Sequence, residues 1–161
     1  MRAHKVYEFK RSRGVKTSLG LGKRKQIQVW FETFAPDADY TIDDDLSVHV
    51  EGNLDLRNTS VTYLPDGLRV GRSLDLNKTP ITHLPDGLRV GGYLDLSGTP
   101  ITHLPQELRV GGNLFLNHTP VTHLPDGLHV GKSLFLERGG LAQMSNEEIR
   151  SRAEIRGTIY I

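Results

Sequence analysis

Two sets of side chains that could do chemistry recur at a fixed interval along this chain. The imidazoles of His83, His103 and His123 are 20 residues apart, and Tyr63 holds the equivalent earlier position. Stacked imidazoles could ligate a metal ion, since neutral histidine is a common zinc ligand. No carboxylate or cysteine stands in phase beside them to complete a site, so we predict no metal and no cofactor. We favour a histidine stripe whose charge changes near neutral pH.

The second set consists of Asp55, Asp75 and Asp95, one per repeat in the same phase. Paired carboxylates can act as general acid and base, but such sites need a cleft and unequal environments. A repeated open surface provides neither. We therefore predict that the protein is not an enzyme. The aspartates are expected to form either a solvated acidic stripe or a docking surface for basic groups.

A glycine-rich run at residues 20–24, Gly-Leu-Gly-Lys-Arg, has some of the character of a phosphate-binding loop. It lacks the first glycine of the G-x-x-x-x-G-K pattern and the Ser or Thr after the lysine, so we reject a nucleotide site there. The chain also contains no cysteine, which excludes a disulfide framework and thiolate catalysis.

These side chains are positioned by a 20-residue repeat that runs from Leu54 to Met144. Apolar residues return in the same phase in every copy. They are Leu54, Leu74, Leu94, Leu114 and Leu134; Leu56, Leu76, Leu96, Leu116 and Leu136; Val61, Ile81, Ile101, Val121 and Leu141; Leu64, Leu84, Leu104, Leu124 and Met144; Leu68, Leu88, Leu108 and Leu128; and Val50, Val70, Val90, Val110 and Val130. A fixed period of this size indicates stacked coils, each burying its apolar residues against the next.

One copy predicts two short strands per coil. Alternation around Leu94 and Leu96 places both leucines inward and residues 93, 95 and 97 outward. A second inward pair, Leu88 and Val90, has Arg89 outward between its members. Parallel strands of neighbouring coils are then expected to lie about 4.8 Å apart.

The pattern L-x-L-x-x-T-x-[IV]-x-x-L-P resembles the leucine-rich repeat, in particular the short bacterial kind that closes each 20-residue unit with Leu-Pro. The resemblance covers residues 46–144 and implies a repeat solenoid, a parallel β stack of about five coils. The family has Asn where this chain has Thr59, Thr79, Thr99 and Thr119, whose hydroxyls can satisfy the turn more weakly. A squarer parallel β-solenoid remains the alternative architecture.

Residues outside the repeats predict a cap at each end, as repeat arrays require. In the N-terminal unit, residues 1–45, Ile27, Trp30, Phe31 and Phe34 fall on one face of a helix that ends near Pro36. In the C-terminal unit, residues 145–161, Ser145 and Glu148 have the spacing of a capping box. The helix that follows is expected to reach about Arg156, with Gly157 as its C-cap. A last strand is predicted over residues 158–161.

Charge is segregated along the chain although the net charge is only +1. Residues 1–25 contain nine Lys or Arg and one Glu, and residues 26–56 contain eight Asp or Glu and no Lys or Arg. Two explanations are open. The two segments neutralise one another in the fold, or the basic segment, expected to be mobile over residues 10–25 when free, associates with nucleic acid.

Outward positions of the repeats supply the candidate binding residues. The row that begins with Asp55, Asp75 and Asp95 continues with Phe115 and Phe135, and Tyr93 stands beside it. Exposed aromatic residues in a row are typical of interface anchors. The alternative is that the C-terminal helix covers them. On the other strand, Arg69, Arg89 and Arg109 form a basic stripe.

The expected function is binding. The lead-in of residues 6–11, the aromatic helix and residues 40–46 resemble small phage and prophage leucine-rich repeat proteins, which implies an accessory protein that binds and blocks a host protein complex such as a defence system. Nucleic-acid association through residues 1–25 is the alternative, and self-association into a homo-oligomer stays open. No apolar run long enough for a membrane span is present, so we expect a cytoplasmic protein in a bacterial host.

Overall fold

The computed structural model describes residues 18–161. The expectations for residues 1–17, which concern the lead-in of residues 6–11 and most of the basic segment, lie outside that part of the chain. Within it the repeats form a parallel β-solenoid. Each strand pairs with the equivalent strand of the next copy, so that Leu74 is in register with Leu94 and Leu94 with Leu114.

Two helices and thirteen short strands make up the described chain. The helices are α1 (Ser18–Phe34) and α2 (Asn146–Arg152). The strands are β1 (Tyr40–Ile42), β2 (Val48–Val50), β3 (Leu54–Asp55), β4 (Leu68–Val70), β5 (Leu74–Asp75), β6 (Arg89–Val90), β7 (Leu94–Asp95), β8 (Arg109–Val110), β9 (Leu114–Phe115), β10 (Leu128–Val130), β11 (Leu134–Phe135), β12 (Ala153–Ile155) and β13 (Ile159–Tyr160).

The strands form two sheets, because each coil contributes one strand to each. Sheet A has the spatial order β1-β2-β4-β6-β8-β10-β12, and sheet B has the order β13-β11-β9-β7-β5-β3. All pairings are parallel except that between β1 and β2. The solenoid therefore has two faces, each formed by one of the sheets, and segments without strands form its third side.

The core is a set of apolar columns that run through all the coils. Leu94, Leu96 and Ile101 have no exposed surface, and Leu88 and Val90 are buried beneath Arg89, which is exposed. The predicted strand phase is thus confirmed on both sheets. Since the same positions are buried in every coil, each coil covers the apolar edge of its neighbour.

Threonine closes the turn that follows four of the sheet B strands, β3, β5, β7 and β9. The Thr99 hydroxyl donates to the Leu96 carbonyl at 2.7 Å, and the Thr99 amide donates to the same oxygen at 3.1 Å. Gly98 before it has a φ of +69°. A positive φ at the third residue and a bond from the fourth residue to the first are features of a type II turn. The same hydroxyl bond is made by Thr59, Thr79 and Thr119.

Glycine allows successive coils to approach closely at the end of each sheet A strand. A Cβ atom built on Gly91 would lie 2.2 Å from the Gly71 carbonyl oxygen, and one on Gly111 would lie 2.3 Å from that of Gly91. Real Cβ atoms do not come so near a backbone oxygen. Any larger residue there would have to move the backbone of two coils.

The N-terminal cap is the predicted aromatic helix. Trp30 and Phe31 are buried, and the Trp30 indole Nε1 donates to the Tyr63 carbonyl at 3.0 Å. Phe31 stacks on Tyr40 with 3.8 Å between ring centroids. Helix α1 begins at Ser18, so residues 18–25, which belong to the segment expected to be mobile when free, are helical.

The C-terminal cap differs from its prediction in one part. The capping box is present, since the Ser145 hydroxyl accepts from the Glu148 amide and the Glu148 carboxylate accepts from the Ser145 amide. Helix α2 ends at Arg152, not at Arg156, and Ala153 is the C-cap in place of Gly157. The reason is that residues 153–155 pair with β10 as strand β12. The last strand is confirmed as β13.

Candidate interaction surface

Four aromatic rings form a row on the outer face of sheet B. We call Tyr93, Phe115, Phe135 and Tyr160 the aromatic row. Phe115 and Phe135 stack with ring centroids 4.6 Å apart, and Phe135 stacks on Tyr160 at 4.5 Å. Tyr93 meets Phe115 edge to face at 6.1 Å. The sequence placed three of these rings together and missed Tyr160.

Strand register explains why the row extends to Tyr160. Phe135 pairs with Phe115, 20 residues earlier, and with Tyr160, 25 residues later. The longer last step contains helix α2, which hid the equivalence in the sequence. The ring that stacks on Phe135 belongs to β13, whereas the sequence had suggested cover from the helix. Phe115 and Phe135 are half-buried and Tyr160 is 49% exposed.

The other end of the same face is acidic. Asp55, Asp75 and Asp95, which we call the acidic row, are in register on β3, β5 and β7. The Arg57 guanidinium donates two hydrogen bonds to the Asp55 carboxylate, from Nε at 3.1 Å and from a terminal nitrogen at 2.7 Å. Its Nε lies 3.8 Å from Asp75.

The expectation that all three aspartates face solvent is wrong for Asp75, which is only 7% exposed. It sits in the middle of the row, between the rungs of Asp55 and Asp95. Asp55 at the edge is exposed, and Asp95 is half-buried. All three have the same outward phase in the repeat, and phase alone does not show that the middle rung is covered.

The pKa values of Asp75 and Asp55 are shifted in opposite directions. Burial raises the pKa of Asp75, and the charges of Asp95 and Asp55 add to the shift, while a hydrogen bond from the Asn77 amide opposes it. The hydrogen bonds from Arg57 lower the pKa of Asp55. Burial and then the charge of Asp75 raise the pKa of the Tyr93 hydroxyl. The charge of Asp75 in the acidic row therefore acts on the hydroxyl of Tyr93, the first ring of the aromatic row.

No protein-family model, curated protein or solved structure matches this chain. The geometry of the solenoid and of its faces is accordingly what bears on function. No helix within residues 18–161 combines the length and apolarity needed to cross a membrane.

The outer face of sheet A carries the second predicted set. Arg69, Arg89 and Arg109, which we call the arginine column, are in register on β4, β6 and β8 and are exposed. His49 and His129 continue the column on either side. The structure thus places the arginines together, on a different sheet from the aromatic and acidic rows.

The histidine stripe lies on the third side of the solenoid. His83, His103 and His123 are exposed, and each Nδ1 lies 2.7–2.8 Å from the hydroxyl of the threonine before it. Among the residues described, no three His, Asp or Glu side chains are grouped as a metal site would need.

The basic segment considered for nucleic acid lies largely outside the described residues. Of its last eight residues, Arg24 donates at 2.8 Å to the carbonyls of Ile42 and Asp43. That side chain joins α1 to the acidic loop before β2 through backbone carbonyls. Among the described residues, no Lys or Arg of residues 18–25 lies within 4.0 Å of a carboxylate oxygen. Neutralisation of the two charged segments therefore stays a prediction.

One cleft was not predicted. It has a volume of about 490 Å³, lies between α1 and the first coil, and is lined by Trp30, Tyr63 and Arg69 among others. Leu46 on its wall has a φ of +69°, a left-handed conformation that is rare for a bulky side chain. Volumes of this size can hold a small molecule. The mixed charges of Lys23, Asp45, Asp66 and Arg69 indicate no particular ligand.

Proposed function

We propose that the protein is a non-enzymatic binding protein whose sheet B face docks a protein partner. The partner would present an apolar segment beside a basic one. The observation that carries this proposal is the continuity of the aromatic row with the acidic row on one flat face. Extended faces of this kind are what solenoids use to bind other macromolecules.

The aromatic row is suited to be the centre of an interface. The rings of Phe115, Phe135 and Tyr160 stack face to face. Stacking holds each ring in one orientation, with an edge toward solvent. Side chains that are already ordered lose little entropy on binding, and large rings bury much apolar area. Such residues dominate binding energies in measured interfaces.

The acidic row is suited to attract a basic segment. Among the described residues, the one cation within 4.0 Å of the acidic row is Arg57, which is bonded to Asp55 and lies 3.8 Å from Asp75. Negative charge is therefore left over next to Tyr93. Charges at the rim of an interface mainly speed association and set orientation.

The host-directed part of the proposal is that a phage or prophage protein uses this face in the bacterial cytoplasm to block a host complex such as a defence system. Its support is the resemblance of residues 6–11 and 40–46 to small phage proteins, together with a rigid display surface. Fold analogy alone does not assign a function, so the partner has to be identified by experiment.

The test is photocrosslinking followed by mutagenesis. A photoreactive phenylalanine analogue at position 160 should capture a bacterial protein that the same analogue at Thr102, on the third side, does not capture. With the captured protein purified, Phe115→Ala with Phe135→Ala should weaken binding by more than about 2 kcal/mol. Tyr63→Ala is the matched control, because Tyr63 is 58% exposed and lies outside the row.

The role of charge is tested separately. Asp95→Lys should slow association, and added salt should slow the wild-type protein in the same way. Asp75 is not used, because a lysine at a buried rung would disturb the fold. If the double phenylalanine variant binds normally while changes at Arg69, Arg89 and Arg109 abolish binding, sheet A is the functional face and the proposal is wrong.

A further inference from the structure

The arginine column raises a separate question, since it lies on the outer face of sheet A and belongs to no part of the sheet B surface. Arg69 is in register with Arg89, and Arg89 with Arg109. Strand spacing places successive members about 4.8 Å apart. Like charges directly opposite one another on a sheet are destabilising.

The chain places its own carboxylates against the two histidines at the ends of this column. His49 Nε2 lies 3.0 Å from Asp43 Oδ2, and His129 Nδ1 lies 2.9 Å from Glu154 Oε2. Glu154 is the next rung after His129 in the same sheet. The hydrogen bonds from His129 and Arg156 lower the pKa of Glu154, which keeps this rung anionic.

The three central guanidiniums have no such partner. Within residues 18–161, no carboxylate oxygen lies within 4.0 Å of Arg69, Arg89 or Arg109, although four other arginine–carboxylate pairs and two histidine–carboxylate pairs do meet that distance. The column therefore has a carboxylate at each end and three guanidiniums in line without one in contact. The charge of Arg69 does help to lower the pKa of Asp45, as a minor cause after the hydrogen bonds from Ser47.

We propose that the arginine column binds an acidic segment of a protein, which lies along the column and pairs its carboxylates with the guanidiniums. Guanidinium groups engage carboxylates through two parallel hydrogen bonds. The pair between Arg57 and Asp55 makes that forked contact within this molecule. Glu154 shows that a carboxylate fits the next position of the same ladder.

Access to the column is open on one side. Two residues after each arginine comes a glycine, namely Gly71, Gly91 or Gly111, and all three are exposed. No side chain rises there to block a segment lying beside the guanidiniums. The backbone amides of these glycines are consequently the natural reporters of occupancy.

Acidic protein suits this face better than nucleic acid does. The outward residues of β2, β4, β6, β8, β10 and β12 are His49, Arg69, Arg89, Arg109, His129 and Glu154. None of them is a Phe, Tyr or Trp on which a base could stack.

The experiment compares two probes on the full chain at one ionic strength, a short oligoglutamate peptide and a single-stranded oligonucleotide of equal charge. Fluorescence anisotropy should show that the peptide binds and that Arg69→Gln with Arg89→Gln and Arg109→Gln weakens it by at least about tenfold. A control with equal charge loss, Arg72→Gln with Lys132→Gln and Arg152→Gln, should change binding less than about twofold.

Two further measurements locate the contact. The peptide should shift the amide resonances of Gly71, Gly91 and Gly111, and the triple Arg→Lys variant should bind more weakly than wild type because it keeps the charge but loses the fork. The inference is overturned if the peptide does not bind saturably, or if the shifts fall only elsewhere in the chain. It is also overturned if the oligonucleotide binds more tightly and loses that binding in the arginine variant.

Discussion

The two faces of the solenoid differ in the kind of outward residue that follows a run of three identical ones. On sheet A the run of Arg69, Arg89 and Arg109 is followed by His129, another nitrogen base. On sheet B the run of Asp55, Asp75 and Asp95 is followed by an aromatic ring, Phe115. Both faces cover the same columns of leucine and valine, so the core does not cause the difference.

The contrast is one of backbone constraint. Four sheet A strands, β4, β6, β8 and β10, are followed by a glycine whose missing Cβ lets the neighbouring coil approach, as Gly91 and Gly111 show. Four sheet B strands, β3, β5, β7 and β9, are followed by a turn whose threonine hydroxyl bonds back to the turn itself, as that of Thr99 does. Sheet B thus completes its turn inside the solenoid, which leaves its outward positions free to carry different chemistry.

The largest expected effect belongs to the core that both faces share. Leu96→Ala should reduce the free energy of unfolding by about 2–5 kcal/mol, because the cavity between two coils cannot collapse. Urea denaturation followed by circular dichroism measures it. Phe115→Ala with Phe135→Ala should cost clearly less per residue, since both rings are half-buried. An equal loss per residue would make the aromatic row part of the core.

The next effect tests the constraint on sheet A. Gly111→Ala should destabilise by about 1–3 kcal/mol or more, because its Cβ would strike the Gly91 carbonyl and neither coil can shift freely. Gly52→Ala is the control, since no atom lies within 4 Å of its Cβ position. Equal melting temperatures for the two variants would show that close coil approach does not require glycine.

A smaller effect tests the turn of sheet B. Thr99→Val keeps the shape of the side chain but removes the hydroxyl bond to the Leu96 carbonyl, and should cost about 0.5–1.5 kcal/mol. Thr102→Val, at an exposed threonine three residues later, should have little effect on the unfolding midpoint. A Thr99→Val protein as stable as wild type would mean that the amide bond alone holds the turn.

The smallest effect has the opposite sign. Because the folded-state pKa of Asp75 is raised, its protonated form stabilises the fold below pH 3.8, and that stability is lost as pH rises through the folded-state pKa. Asp75→Asn, which keeps an acceptor for the Asn77 amide, should raise the melting temperature by a few degrees at pH 7. The gain should vanish near pH 3.

Asp95→Asn on the neighbouring rung is the matched control for that measurement, since it also removes one carboxylate from the row. A lower melting temperature for Asp75→Asn at pH 7 would mean that the 3.8 Å contact with Arg57 outweighs the burial of the carboxylate.

The features predicted correctly from the sequence are those that depend on the spacing of residues along the chain. The inward columns, the coil stacking and the cap formed by Trp30 and Phe31 follow from spacing alone, because a residue's phase decides whether it is buried. The capping box at Ser145 was equally local. The sequence therefore specified the solenoid, and the structure confirms it.

What depends on neighbours in space was not predictable in the same way. Asp55, Asp75 and Asp95 have one phase, but the middle rung is covered and its acid strength differs. Tyr160 joins the aromatic row only because the last coil is five residues longer, as its register with Phe135 shows. The alternation of residues 153–155 could have revealed β12, but the preceding helix pattern concealed it.

The register of the ladders also limits how such a molecule can change in length. A duplicated or deleted repeat adds or removes one rung from sheet A and one from sheet B together, because every coil supplies both. Such an event therefore changes the number of cations on sheet A and the number of rings or carboxylates on sheet B at the same time. Any gain in reach on one face by recombination between repeats alters the other face as well, and only point substitution can tune the two independently.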